Sequence, residues 1–279
     1  MARTSQVAPL GDTDPFAPNP AHPVRVRARN MPADTHFEPH RHAWGQLAYC
    51  ASGVIQVSVV APVAPTAYIV PPSRAVWIAP GALHAIAVLE AAAFRTLYID
   101  PSVVPADGAV CRVMAVTPLL RELVSALDPV GGPPPGPARE AALTTLVLDE
   151  IGQAEVLALG VPLPGPDSDK RLRALCQAVL EAPGRHATLH GWATDSGASE
   201  RTLARLFQAQ FGMGFAPWRK QAVLAHALPR LARGESVGAV AAASGYASES
   251  AFSAMFKAAM GQPPSWFIGR NDAFGPSSA

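Results

Sequence analysis

The chain is short of the residues that staple a fold or span a membrane. Its three cysteines, Cys50, Cys111 and Cys176, lie far apart with no paired spacing. That argues against a disulfide framework and a thiolate zinc site, and it fits a reducing cytoplasm. No continuous apolar stretch follows the first basic residue, so no signal peptide is expected. The most apolar stretch, 54–70, is interrupted by Gln56, Ser58, Pro62 and Pro65, which excludes a membrane-spanning helix there. The expectation is a soluble, cytoplasmic protein with no membrane partner. Net charge is nearly absent too, at +1, but it is unevenly placed. Residues 1–167 hold ten Lys/Arg against fourteen Asp/Glu, and residues 168–279 hold twelve against seven. A basic C-terminal part behind an acidic N-terminal part points to a polyanion partner.

What is present is apolar material, 49% of the residues, in a length that suits two smaller domains. Residues 1–23 carry five prolines and read as a disordered tail. From 24 to about 116 come short β-type runs, at 45–50, 54–60, 67–70, 75–78, 85–89 and 96–99. Such spacing suggests a sandwich or a small barrel. Residues 118–127 read as a helix with Pro118 in its first turn, stopped by the Gly/Pro run at 131–137. A second helix is expected from 138 to about 159, striped by Leu143, Leu146, Val147, Ile151 and Ala154. A Pro-rich linker at 161–169 follows, and everything beyond it reads helical. The expected fold class is therefore α+β in two domains: a β-barrel over 24–116, helices over 117–160, and an all-α domain over 170–270 before a tail at 271–279.

The last hundred residues contain one unit used twice. The segment 189–212 and the segment 237–261 share a small residue (Ala193, Ala241) and a glycine four residues on (Gly197, Gly245). Each continues with a serine (Ser199, Ser248), apolar anchors (Leu203, Leu206 and Phe207; Phe252, Met255 and Phe256) and a closing glycine. The small residue lets two helices cross closely, and the glycine takes the left-handed turn between them. The serine caps the helix that follows. A plain helical bundle would not need both copies to match at every one of these positions.

In this register the sequence resembles the DNA-binding domain of the AraC/XylS family of transcription regulators, over roughly 170–268. Residues 215–233 look like that family's linker helix, and Gly261 to Phe267 look like its close. The resemblance implies that the helices at 199–211 and 248–260 enter successive major grooves of double-stranded DNA, about 34 Å apart. On the first, Ser199, Glu200, Arg201, Thr202, Arg205 and Gln208 are the candidate DNA-binding residues. On the second they are Glu249, Ser250, Ser253 and Lys257, beside Ala254. The second surface is poor in long donors, so the first is expected to carry most base readout. Two departures from the family pattern are Val223, where an Arg is common, and Pro229, which should kink or break the linker helix.

In the N-terminal part, His40, His42 and Gln46 ahead of Gly53 look like the first motif of the cupin barrels, with Gln46 where metal-binding members carry Glu. Gly81 and His84 resemble the second motif. By alternation, His40 and His42 on one strand are expected to point to the same face, the barrel interior, where His84 from another strand can join them. Two readings stay open. His40, His42, Gln46 and His84 hold a divalent transition metal, or the histidines line an effector pocket with Trp44, Gln46, Tyr49, Trp77 and Tyr98. Arg74 is either a contact for an acidic effector or a solvated loop charge. The helices at 118–127 and 138–159 sit where such regulators dimerise, although their stripes would equally cover the barrel. The implied partners are duplex DNA, a small-molecule or metal effector, a second copy of the chain, and RNA polymerase. The competing reading is a metal-dependent cupin enzyme fused to a DNA-targeting module, and the missing Glu ligand counts against it.

Overall fold

The computed structural model describes residues 6–8, 13–60, 65–72, 74–104, 110–127, 133–157 and 160–268. They fall into two compact units, the first built from Met1–Val59 and Val70–Ala158 and the second from Val60–Ile69 and Leu159–Ala273.

The first unit is a sheet of β1 (Gln6–Val7), β2 (Val24–Met31), β3 (Thr35–His40), β4 (Gly45–Val59), β6 (Arg74–Ile78), β7 (His84–Ile99), β8 (Cys111–Ala115) and β9 (Val156–Leu157), with β5 (Thr66–Val70) lying between β4 and β6 in sequence. The pairing path runs β1-β3-β7-β4-β6-β8-β9, with β2 beside β7. Its two ends do not meet. The sheet is open, which corrects the closed barrel expected from the sequence. The reason lies in β4 and β7, each of which merges two of the expected short strands. They pair from Gly45↔Ile99 to Val59↔His84, with register shifts between Cys50 and Ile55. A straight run from Gln46 to Val59 would span about 43 Å at about 3.3 Å per residue. Yet the Gln46 side chain reaches His84, which pairs with Val59. The irregularities therefore bend this long hairpin back over itself, and the roll needs no ladder to close it.

Residues 1–23, expected as a tail without structure, contain β1, which pairs in parallel with β3, and a 3-10 turn at Asp14–Phe16. Residues 1–5, 9–12 and the tail at 271–279 lie outside the described residues. Thr117 accepts from the Leu120 N–H and so caps α1 (Pro118–Leu127). The next helix, α2 (Pro137–Gln153), ends six residues before the expected boundary, because Ala154 is extended and β9 follows. Leu120, Leu123, Val124, Leu143, Val147 and Ile151 pack on one face of the sheet, against Leu47, Leu97 and Ile99. The apolar stripes of both helices are thus spent on covering the sheet, except for Leu146, which is exposed.

The second unit holds the short antiparallel pair of β5 with β10 (Val161–Pro162) and six helices. These are α3 (Lys170–Glu181), α4 (Leu189–Ser196), α5 (Glu200–Phe211), α6 (Phe215–Ala232), α7 (Val237–Ala243) and α8 (Glu249–Met260). Two cores divide along α6. Phe215, Trp218 and Ala222 join Trp192, Leu203 and Phe207 in the first. Val223, Leu224, Ala227, Leu228 and Leu231 join Val240, Phe252 and Phe256 in the second. Helix α6 is thus a strut shared by two small domains. It runs unbroken to Ala232 through Pro229, so the break that was one of two expectations does not occur; the ring costs one hydrogen bond to the carbonyl four residues back, and burial of Leu228, Pro229 and Leu231 holds the last turn.

Candidate DNA interface and effector site

Each helix-turn-helix is assembled by the same local chemistry. Thr188 and Ser236 cap α4 and α7, accepting from the Gly191 and Ala239 N–H groups. The turns pass through Gly197 (φ 64°) and Gly245 (φ 78°), in the left-handed region expected of them. Ser199 and Ser248 then cap α5 and α8, accepting from Thr202 and Ala251. Leu203 and Phe207 are buried on α5, as Phe252 and Phe256 are on α8. The faces left over are solvent-exposed: Glu200, Arg201, Arg205 and Gln208 on the first helix, and Glu249, Ser250, Ala254 and Lys257 on the second. Thr202 and Ser253 are half-buried. Thr202 is further tied by its hydroxyl to Ser199, at 2.9 Å. Glu200 faces back to His190 at 3.2 Å, and a Cβ on Gly238 would sit 3.0 Å from a Glu249 carboxylate oxygen. Both glutamates therefore lean toward the preceding helix, where they also favour the positive helix start.

The sequence reading missed the residue that fastens the two copies. Arg219 of α6 is buried, and its guanidinium donates to the carbonyls of Pro183 (2.7 Å) and Ser244 (2.9 Å). Burial depresses its pKa, and Tyr246 acts in the opposite direction. Beside it, backbones nearly touch: a Cβ on Gly184 would lie 2.3 Å from the Ala243 oxygen. One buried cation thus joins the end of α7 to the segment after α3. An arginine followed by a lysine and a glutamine on a helix gives no local sign that two distant carbonyls await it.

In the first unit, β3 ends at His40, so His42 sits in the following turn rather than on the same strand. It is brought round by its own Nδ1, which donates to the Trp44 carbonyl at 2.7 Å. His40 Nδ1 meets the Glu38 carbonyl (2.8 Å) and His84 Nδ1 the Ala82 carbonyl (2.9 Å). A carbonyl can only accept, so each ring carries a proton on Nδ1, and Nε2 is the nitrogen that offers a lone pair whenever the ring is neutral. The ligand-type atoms of the three histidines lie within 4.8 Å of one another. Gln46 Oε1 lies 2.7 Å from His42 Nε2 and 3.0 Å from His84 Nε2, while its amide nitrogen donates to Thr96 Oγ1 at 2.7 Å. Burial lowers the His84 pKa to about 4, with His40 and His42 adding to the effect. The His40 pKa is lowered as well, again chiefly by burial.

Four acceptors facing one another call for a cation between them, and Nδ1–H bonds to carbonyls are how metal-bound imidazoles are usually held. The donor set fits a divalent transition metal, with an amide oxygen in place of a carboxylate. Turned over about its last bond, the same amide would donate both N–H groups to His42 and His84 and close a metal-free network.

Trp44 stacks on His42 (centroids 5.3 Å apart, planes 6° apart), and Tyr98 meets both. The structure does not bring Tyr49 and Trp77 to this site. Side chains alternate along a strand; Gln46, Thr96 and Tyr98 share one face, whereas Tyr49 and Trp77 lie in the opposite core under α1 and α2. Arg74 is buried at the start of β6, and burial lowers its pKa while Glu155 acts in the opposite direction. The strict alternation Arg25, Arg27, Arg29 along β2 was a legible signal that the sequence reading passed over. Its register, Arg25↔Tyr98 and Arg27↔Thr96, turns those arginines to the histidine side of the sheet.

Duplicated helix-turn-helix units in one chain with a rolled sheet that holds a polar inner cluster define a DNA-binding transcription regulator with a ligand-binding domain. Comparison with known proteins agrees. A helix-turn-helix domain family matches residues 192–270, and the AraC-like ligand binding domain family matches residues 22–150. The HTH-type transcriptional regulator NimR of Escherichia coli is 33% identical over 240 residues, 86% of this chain and 85% of that one. The HTH-type transcriptional regulator RipA of Corynebacterium glutamicum is 33% identical over 106 residues, 38% of this chain and 31% of that one. Among solved structures, ToxT from Vibrio cholerae O395 aligns with a TM-score of 0.37 at 13% identity, over 90% of this chain and 99% of that one. The chain belongs to the AraC family of transcription regulators. Among the described residues no helix is long and apolar enough to cross a membrane.

Proposed function

We propose that an effector held at His40, His42, His84 and Gln46 controls how tightly the paired helix-turn-helix units bind an operator. The observation that carries this reading is the cluster of His40, His42 and His84, whose ligand-type atoms lie within 4.8 Å of one another, with Gln46 Oε1 against the Nε2 atoms of His42 and His84. A divalent transition metal is the effector this donor set suits best, and a neutral molecule that hydrogen-bonds to the cluster is the second reading, favoured by the reversible Gln46 amide. When bound, a metal would supply charge and bring together the end of β3, the following turn and the start of β7. On the DNA side, Arg201 and Arg205 act as the main base readers, with Gln208 beside them, and Lys257 acts as a phosphate contact. A homodimer on paired half-sites belongs to the same reading, with Leu119 and Leu146 as exposed apolar residues of α1 and α2.

The test pairs elemental analysis of the purified protein with titration of duplex DNA from its own upstream region, with and without added Zn²⁺ or Ni²⁺. Wild type should bind that duplex better than a random one, with a steep salt dependence. It should also change affinity with the ion, and His40→Ala/His42→Ala should lose both the metal and the response. Retention of metal and response by the double variant would sink the reading.

A further inference from the structure

The second unit is not one stretch of chain. The chain leaves the first unit after Val59, returns to it at Val70 and leaves it again after Ala158, so the segment 60–69 belongs to the helical unit while both its neighbours belong to the sheet. Within the second unit that segment is built in. Its strand β5 sets Ala67 opposite Val161 and Thr66 opposite Pro162 of β10, and the Leu163 N–H donates to the Pro65 carbonyl at 2.7 Å. The fit is tight, since a Cβ on Gly160 would meet the Tyr68 ring at 2.6 Å and the Thr66 methyl at 3.0 Å. Ile69 packs against the core that holds Val223, Leu224 and Leu228 of α6. The Pro162 carbonyl, across from Thr66, accepts from the Trp218 indole at 2.8 Å. Both supports lie on the helix shared by the two helix-turn-helix copies, and Trp218 packs on Phe207 of α5 with ring centres 5.4 Å apart.

The root of the segment is equally specific. Val59, the last residue of β4, pairs with His84, the first residue of β7. His84 is one of the three clustered histidines.

We propose, on the reading that the first unit is the effector domain, that residues 60–69 are a transmission arm through which occupancy of the histidine cluster sets the grip of the helical unit on DNA. Strand ends fray, and their local opening costs far less than unfolding of a core. The Val59–His84 pair, closed or frayed, is therefore a two-state element at the foot of the arm. A ligand that ties His84 to His40 and His42 holds the start of β7, and with it the pairing from which the arm departs. A flexible linker would dissipate that change. A segment anchored by strand pairing and by an apolar side chain carries it to α6. By linkage the effect runs both ways, so DNA held by the helical unit alters the ends of β4 and β7 in return.

Amide hydrogen exchange of the full-length protein, with and without duplex DNA from its own upstream region, tests the arm with no effector present. Operator binding should change exchange at residues 57–59 and 84–86 by about threefold or more. Gly160→Ala, which wedges β5 from β10, and Ile69→Ala, which empties its seat on the core, should abolish that change. Neither residue belongs to the candidate DNA face or to the histidine cluster, so metal content should stay as in wild type. With Ni²⁺ added, wild-type operator affinity should shift by about fivefold or more, and both variants should shift by less than about twofold. No change at those amides when wild type binds operator, or its persistence in both variants, would overturn the arm. If Ni²⁺ shifts operator affinity in wild type and variants alike, the arm falls and the effector reading stands. If operator alters those amides through an intact arm but Ni²⁺ shifts nothing, the arm stands and the metal effector falls. The wild-type measurement decides even where a variant fails to fold.

Discussion

The two helix-turn-helix copies share a skeleton and differ in their outward chemistry. Their caps, left-handed glycines and buried anchors recur in the same order, with one more residue between glycine and serine in the second copy and Phe252 where the first has Leu203. Yet α5 shows Arg201, Arg205 and Gln208 to solvent where α8 shows Ser250, Ala254 and Lys257. The difference teaches that the frame and the surface answer to separate demands. The frame needs a tight turn and a filled core, and those requirements are met twice by a left-handed glycine, a serine cap and buried anchors. The surface needs donors only where bases are read, and long donors are concentrated on one copy.

The largest expected effects test the sameness of the frames. Phe207→Ala and Phe256→Ala each remove a fully buried ring and should each cost about 3–5 kcal/mol in the unfolding of the helical domain, followed by denaturant titration. Costs that agree within about 1 kcal/mol sharpen the comparison, and a much wider gap would show that one core carries the other. Next comes the residue that belongs to neither copy. Arg219→Ala strands the Pro183 and Ser244 carbonyls and should cost about 2–4 kcal/mol. Arg219→Lys should recover little, since a single ammonium lacks the fork. If the alanine variant keeps full stability and full operator affinity, the two copies are held by packing alone.

The smallest effects probe the surfaces. Arg201→Ala or Arg205→Ala should weaken operator binding by about 1–3 kcal/mol, while Ser250→Ala and Ser253→Ala cost less than about 1 kcal/mol. Lys257→Ala should weaken operator and random duplex alike and reduce the salt slope by about one. Equal losses from the two helices in direct competition assays would erase the asymmetry.

The helical domain was legible because its signals are local. A glycine four residues after a small residue and a serine two or three residues further on fix a turn and a cap wherever they occur. Its boundaries at Ser199 and Ser248 therefore came straight from the residues. The sheet was less legible because its geometry depends on pairing. The irregularity between Cys50 and Ile55 joins two apparent strands into one bent strand, and no local pattern says that a short break continues the ladder. The same limit hid the sidedness of Tyr49 and Trp77, which only the register with β7 and β8 decides. It also made His40 and His42 look like neighbours on one strand, when a turn and a carbonyl bring the second ring round. The arginine alternation on β2 was visible, but its meaning needed Thr96 and Tyr98 opposite it. Arg219 was out of reach, since both carbonyls it joins are far away in sequence.

The close approach at Gly184 and Gly245 also bears on how such a regulator diverges. With no room for even a methyl group at that seam and a buried guanidinium across it, the distance between the two recognition helices is not a quantity that single substitutions can adjust. Descendants that acquire new targets must do so by exchanging side chains on a ruler of constant length. Their operators should vary in letters while keeping the same step between them.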